Sequence, residues 1–222
     1  DAYYGKAKIV SSTSVCSHVD NLDEFVNGVK ELLADEGIFI IEVYYLKELL
    51  EQNLFDTIYH EHLSYFTLDT MSKLLERLGV EIFDVEKTDT HGGSLRVFAQ
   101  KRNGVQKKQL SINEFLATEK QKKLSQKETY KKFSEKINTN KEKLLELLKK
   151  LKLNGKKIVG YGAPAKGNTL LNYFGIGTNY LDYIVDDSPW KQGLFTPGTH
   201  IPVFGFEQLK KDKPDYVLIL AW

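Results

Sequence analysis

Tyr59-His60-Glu61-His62 gathers a phenol, two imidazoles and a carboxylate into four consecutive residues, with Phe55 ahead of them and Tyr65-Phe66 behind. Histidine titrates near neutral pH, and a neighbouring carboxylate orients the ring and raises its basicity. The segment therefore suits general acid/base work. Two other readings compete. The same side chains are potential metal ligands, but consecutive residues rarely converge on one ion and the helical spacing of HExxH is absent, so no metal is expected. A structural histidine satisfied by one hydrogen bond is the blander alternative for each ring taken singly. The whole tetrad, placed in a loop after a sheet strand, points to function.

Three further constellations could cooperate with it. His18 lies in Ser14-Val15-Cys16-Ser17-His18-Val19, after a strand beginning at Ala7, and Glu42 ends the next apolar strand. Residues at the carboxyl ends of parallel strands line the ligand crevice of open α/β sheets, although a capping role for His18 remains open. His91-Gly92-Gly93-Ser94-Leu95-Arg96 sets two glycines before a strand, where the backbone can turn sharply or approach a ligand. Arg96 could grip a phosphate or carboxylate bidentately, or be the surface arginine of an ordinary hairpin. Gly160-Tyr161-Gly162-Ala163-Pro164-Ala165-Lys166-Gly167 sits between a strand and a helix, where free amides favour anions. Asp186-Asp187 follows the next strand, near the spacing of a ribose-binding acid. The displaced third glycine and Pro164 depart from the dinucleotide fingerprint, so a phosphate or nucleotide fits better than NAD.

The elements that must position these groups alternate in the α/β manner. Strands are expected from Ala7 and over Ile38–Val43, the latter fully buried and parallel. A helix over Leu22–Leu33, capped by Asn21 or Asp20, ends at Gly37. A helix over Asp69–Leu78 precedes strands Val80–Val85 and Leu95–Gln100. Residues 111–153 read as helical, with a possible break at Asn138-Thr139-Asn140. Strand, helix, strand, helix and strand then follow over Lys157–Gly160, Lys166–Tyr173, Leu181–Val185, Phe206–Lys210 and Tyr216–Ala221. The expected organisation is 1–110, a connector 111–153, and a second small α/β domain 154–222. Both ends look cut, because strands stand almost at the termini and nothing ahead of Ala7 could supply an opening strand and glycine loop.

Composition is that of a soluble globular protein, 41% hydrophobic and 27% charged. The single cysteine, Cys16, excludes an intrachain disulfide and reads as a small core residue. No apolar run approaches the roughly 20 residues of a membrane span, and no secretory signal is visible, so the default location is cytoplasmic. The net charge of +1 hides a block from Ser111 to Lys157 with fourteen lysines against six glutamates. That block has no arginine to read bases, and Phe115, Tyr130 and Phe133 sit in it like core positions. A solvated helix face is preferred over nucleic-acid binding.

Taken in order, Phe55 to Phe66, Thr90 to Arg96 and Gly160 to Asn168 resemble the deoxysugar C-methyltransferase family, over essentially the whole chain. Val15 to Asp20, Asp23-Glu24-Phe25 and Glu42-Val43-Tyr44-Tyr45-Leu46 also fit, though the family often has proline where Tyr44 stands. The resemblance implies an α/β fold: the later half of a class I methyltransferase sheet, a helical linker and a Rossmann-like C-terminal domain. It implies S-adenosylmethionine as methyl donor and a nucleotide-linked keto sugar, usually dTDP-linked, as acceptor. It also implies a zinc module and a donor-binding glycine loop, neither with a counterpart in these residues, so independent activity is not expected of this chain alone.

By the same resemblance His62 is the base, supported by Glu61, with Tyr59 and His18 donating to the developing oxyanion. Arg96, Ser94, Lys166, Asn168, Gly162 and Ala163 are expected to meet the nucleotide sugar. This requires the His62 imidazole to face an open crevice near Tyr59 and His18. The alternative is a non-catalytic nucleotide-sugar-binding module, or a subunit completed by a partner.

Overall fold

The computed structural model describes residues 5–221, which group into two units. The first contains residues up to Leu54 together with His60–Phe133. The second contains Phe55–Tyr59 and the residues from Ser134 onward. The stretch 111–153 is shared between them, dividing at Phe133 and Ser134.

In the first unit, β1 (Ala7–Thr13) leads to α1 (Leu22–Leu32), whose buried Val26 and Val29 lie one turn apart on the inward face. The Asn21 Oδ1 accepts the Glu24 amide at 3.1 Å and so satisfies a first-turn donor. The chain enters β2 (Leu33–Tyr44) directly, without a helix-ending glycine. Gly37, expected to stop the helix, lies buried inside the strand near a register shift against β1. A Cβ there would come within 2.9 Å of the Ala7 carbonyl. After β2 come α2 (Leu46–Gln52), α3 (Leu68–Arg77), β3 (Val80–Thr88), β4 (Ser94–Lys101) and α4 (Ser111–Gln121).

The sheet runs β1-β2-β4-β3, with β1 and β2 parallel and β4 inserted antiparallel to both neighbours. Ile38–Val43 is thus parallel to one neighbour only. Phe39, Ile41, Val43, Leu95, Val97 and Ala99 form the buried layer of the two central strands, covered by Leu68, Met71 and Leu75 of α3. Thr67 caps α3 reciprocally with Thr70. Glu119 of α4 adds a second cap from outside, accepting the Leu68 and Asp69 amides at 2.6 and 3.1 Å.

The long α5 (Lys127–Leu153) is separated from α4 by a turn at 122–126 containing the left-handed Lys123, with φ +56°. It runs unbroken through Asn138-Thr139-Asn140, correcting the break expected there. Those polar side chains find partners that leave the helix intact: Thr139 donates to the Glu135 carbonyl one turn back, and Asn138 accepts the Tyr173 hydroxyl at 3.1 Å.

The second unit holds a parallel sheet, β7-β6-β5-β8, built from β5 (Ile158–Tyr161), β6 (Ile184–Val185), β7 (Val203–Phe204) and β8 (Tyr216–Ile219). Helices α6 (Ala165–Phe174) and α7 (Glu207–Asp212) connect them. The segment Phe55–Tyr59 packs here, with Phe55 stacked on Phe174 at 5.2 Å between ring centroids.

Candidate active site

Two loops at the carboxyl ends of β1 and β2 bring His18 and His62 together. The Ser17 carbonyl accepts the Leu63 and Ser64 amides at 2.7 and 3.3 Å, tying the loop after His62 to the loop that carries His18. A few residues on, Phe66 bridges Tyr45, and its carbonyl accepts the Leu46 amide at 2.9 Å. Pinned at both places, the His62 ring lies 4.9 Å from His18 and 5.0 Å from Tyr44, with Tyr65 at 6.5 Å.

The imidazole is only 6% exposed. This corrects the expectation of an open crevice. The ring is enclosed, with two phenol rings and an imidazole near it, while His18 stays exposed beside it. Glu61 and His60 are exposed, and Tyr59 belongs to the second unit with Phe55–Ile58. Among the described residues no cluster of His, Cys, Asp and Glu could hold a metal ion.

Sequence reasoning missed Tyr44 as a site residue. It occupies the last position of β2, and strand alternation sends Tyr45 into the core while Tyr44 faces His62. Its ring also lies 5.3 Å from that of His91. A pair of tyrosines at the end of a buried strand was the available signal. Ser17 was also missed; its hydroxyl is fully buried with no hydrogen-bond partner among the described residues.

Arg96, expected to meet the substrate, is engaged by carboxylates. The register places it opposite Glu42 on one side and Glu86 on the other. Its Nε and Nη2 donate to Glu42 at 2.8 and 2.6 Å, and its Nη1 donates to Glu86 at 2.7 Å. These bonds push its pKa further above the usual arginine value. Ser94 is buried and donates its hydroxyl to the Thr90 carbonyl at 3.0 Å, bracing the turn instead of facing a ligand.

The loop after β5 is likewise occupied from within. Asp186 accepts the Ala163 amide at 2.7 Å, the Ser188 amide at 2.9 Å and Lys191 at 3.1 Å. Burial alone would raise its pKa, but these three donors outweigh it and hold the carboxyl below the usual aspartate value. The acid expected to bind a ribose thus closes the loop, and Ala163 has no amide to spare.

The glycines of this loop serve close packing. A Cβ on Gly160 would lie 2.7 Å from Ile184, and one on Gly162 would lie 2.5 Å from Ala221. Gly162 also has φ +86°. Gly162→Ala should therefore destabilise the second unit by about 2–4 kcal/mol, combining left-handed strain with overpacking. Denaturant unfolding followed by near-UV circular dichroism checks this; a loss below about 0.5 kcal/mol would contradict it.

At the start of α6, Lys166 is half-buried; burial lowers its pKa, partly offset by nearby Asp56. The Asn168 side-chain carbonyl is buried without a hydrogen-bond partner among the described residues.

Comparison with known proteins gives the family. Residues 89–222 match the model of the C-methyltransferase C-terminal domain, and residues 1–85 match that of a methyltransferase domain. The chain is 38% identical over 219 residues to C-methyltransferase NovU of Streptomyces niveus, covering 99% of this chain and 52% of that protein. It thus spans about half the length of this curated relative. The solved structure of TnmH shares 22% identity over 46% of this chain and 32% of its own, with a TM-score of 0.33. No helix among the described residues is long and apolar enough to cross a membrane. On the strength of the matched domains, the chain belongs to the C-methyltransferase family.

Proposed function

We propose that this chain forms the acceptor-handling part of an S-adenosylmethionine-dependent C-methyltransferase acting beside the ketone of a nucleotide-linked keto sugar. The observation that carries this is the enclosed His62 imidazole, held 4.9 Å from a second, exposed imidazole at the carboxyl ends of β1 and β2. Among the described residues of the first unit, no glycine-rich turn joins a strand to a helix. The residues present do not grip the donor, which enters as a substrate supplying an electrophilic methyl.

His62 removes the proton from the carbon next to the ketone, and the C–H electron pair moves into an enolate. S-adenosylmethionine, when bound, would supply an electrophilic methyl to the enolate carbon, its sulfonium leaving as a neutral thioether. His18, on the exposed side of His62, hydrogen-bonds the developing oxyanion. An oriented donor placed there accounts for a large share of the rate. Glu61 supports the base. The donor role of Tyr59 and the nucleotide-sugar contacts of Lys166 and Asn168, all in the second unit, rest on the family resemblance alone; Arg96, Ser94, Gly162 and Ala163 act as scaffold.

The test is transfer of a labelled methyl from S-adenosylmethionine to dTDP-linked 4-keto deoxysugars by the full-length protein. Label recovered on oxygen, or on none of the sugars, would overturn the reading.

A further inference from the structure

The turn after β3 is more tightly held than a surface hairpin needs. Thr90, His91 and Gly92 form one helical turn in which His91 is left-handed, with φ +55° and ψ +33°. A side chain in that region carries a steric cost that glycine avoids, and it persists only where the surroundings enforce it. Here the surroundings do enforce it. Gln52 of α2 donates to the Gly92 carbonyl, and the Gly93 and Ser94 donors both reach the Thr90 carbonyl at 3.0 Å. The Gly93 carbonyl accepts the Tyr45 amide at 3.2 Å. Gly93, at φ +127°, lies so close to α2 that a Cβ would fall 2.6 Å from Glu48.

Those bonds fix where the His91 ring goes. Its centroid lies 5.3 Å from Tyr44, tilted by 41°, and Tyr44 lies 5.0 Å from His62 at a tilt of 53°. His91, Tyr44, His62 and His18 form a file of rings whose two ends are exposed and whose two middle members are buried. A strained but braced histidine at one end is an expensive way to build a turn, and a suitable way to stop a neighbouring ring from shifting. We infer that His91, acting through the ring of Tyr44, is a positioning residue for the imidazole of His62. The inference rests on the acid/base role proposed for His62 and names what sets that ring's orientation.

The test uses the full-length protein with isotopically labelled histidine, whose five resonances in this chain are assigned by single substitution. His91→Gly removes the ring and relieves the left-handed strain, so its thermal midpoint should equal or exceed that of the wild type. If His91 positions His62, the His62 ring resonance moves while that of His200, in the second unit, does not. In the same variant kcat falls roughly tenfold to a hundredfold, with acceptor KM within about threefold, because a misplaced base slows chemistry more than binding. Tyr44→Leu reproduces both effects, and Tyr44→Phe, which keeps the ring, restores most of kcat.

An unmoved His62 resonance in both His91→Gly and Tyr44→Leu overturns the inference. So does a raised acceptor KM with kcat preserved, which would make His91 a direct acceptor contact. If the wild-type protein transfers no methyl group, the functional reading fails, while the resonance measurement still decides the positioning claim.

Discussion

His62→Asn should lower methyl transfer by about 10²–10⁴-fold while leaving nucleotide-sugar affinity within about threefold, since the loss falls on a proton transfer and not on binding. Asparagine keeps polar atoms and approximate shape in a site only 6% exposed, so the ring file is disturbed less than by alanine. The decisive readout separates the proton from the methyl. In the absence of donor, a base at His62 should wash deuterium from solvent into the carbon beside the ketone, and His62→Asn should stop that exchange. Exchange that continues unchanged while methyl transfer is lost would move the base elsewhere and leave His62 a structural role.

The companion change, His18→Ala, tests the second imidazole. His18 is exposed and its ring meets His62 edge-on at 4.9 Å, so its removal should cost little stability. An oxyanion donor is worth about 10²–10³-fold in kcat. If His18→Ala retains wild-type kcat, the oxyanion is stabilised by another group.

Much of the fold was legible in the residues because the strongest signals are local. A carboxylate between two histidines, behind an aromatic and ahead of another, is the local pattern on which the acid/base proposal rests. Apolar spacing over Leu22–Leu33 gave α1, and short apolar runs gave the sheet strands. What stayed hidden depends on register. Nothing local says that β4 enters between β2 and β3, so nothing local sets Arg96 opposite both Glu42 and Glu86. An arginine after two glycines looks like a ligand grip until its neighbours are known. The same holds for Ala163 and Asp186, whose pairing spans 23 residues and turns an apparent anion loop into a closed one. Tyr44 was passed over because alternation assigns it a face but not a neighbour. The position of the helix break followed a different rule: the asparagines at 138 and 140 looked like the weak point, yet the chain turned at Lys123, where no sequence signal stood out.

The reassignment of Arg96 from ligand to scaffold makes the second large prediction, and a thermodynamic cycle can decide it. Glu42 is 5% exposed, and both of its short contacts to Arg96 leave with Arg96→Ala. Stranding a buried carboxylate is the expensive half of breaking an ion pair, at about 3–5 kcal/mol for fully buried pairs. Arg96 itself is 38% exposed, so solvent shares the load and a smaller loss, about 2–3 kcal/mol, is expected. Glu42→Gln in the Arg96→Ala background removes the stranded charge and should recover more than half of that loss, giving a coupling above about 1 kcal/mol. Glu86→Gln alone should stay within about 0.5 kcal/mol, because Glu86 is half solvated and its pair is a surface one. Urea unfolding of the wild type, Arg96→Ala, Glu42→Gln and the double variant measures the cycle. Nucleotide-sugar affinity measured on the same proteins gives the opposing case: a phosphate contact at Arg96 would weaken binding more than about tenfold in both backgrounds, and a Glu42 change could not restore it. Additive stabilities together with such a loss of affinity would return Arg96 to the ligand and take it out of the sheet's charge ladder.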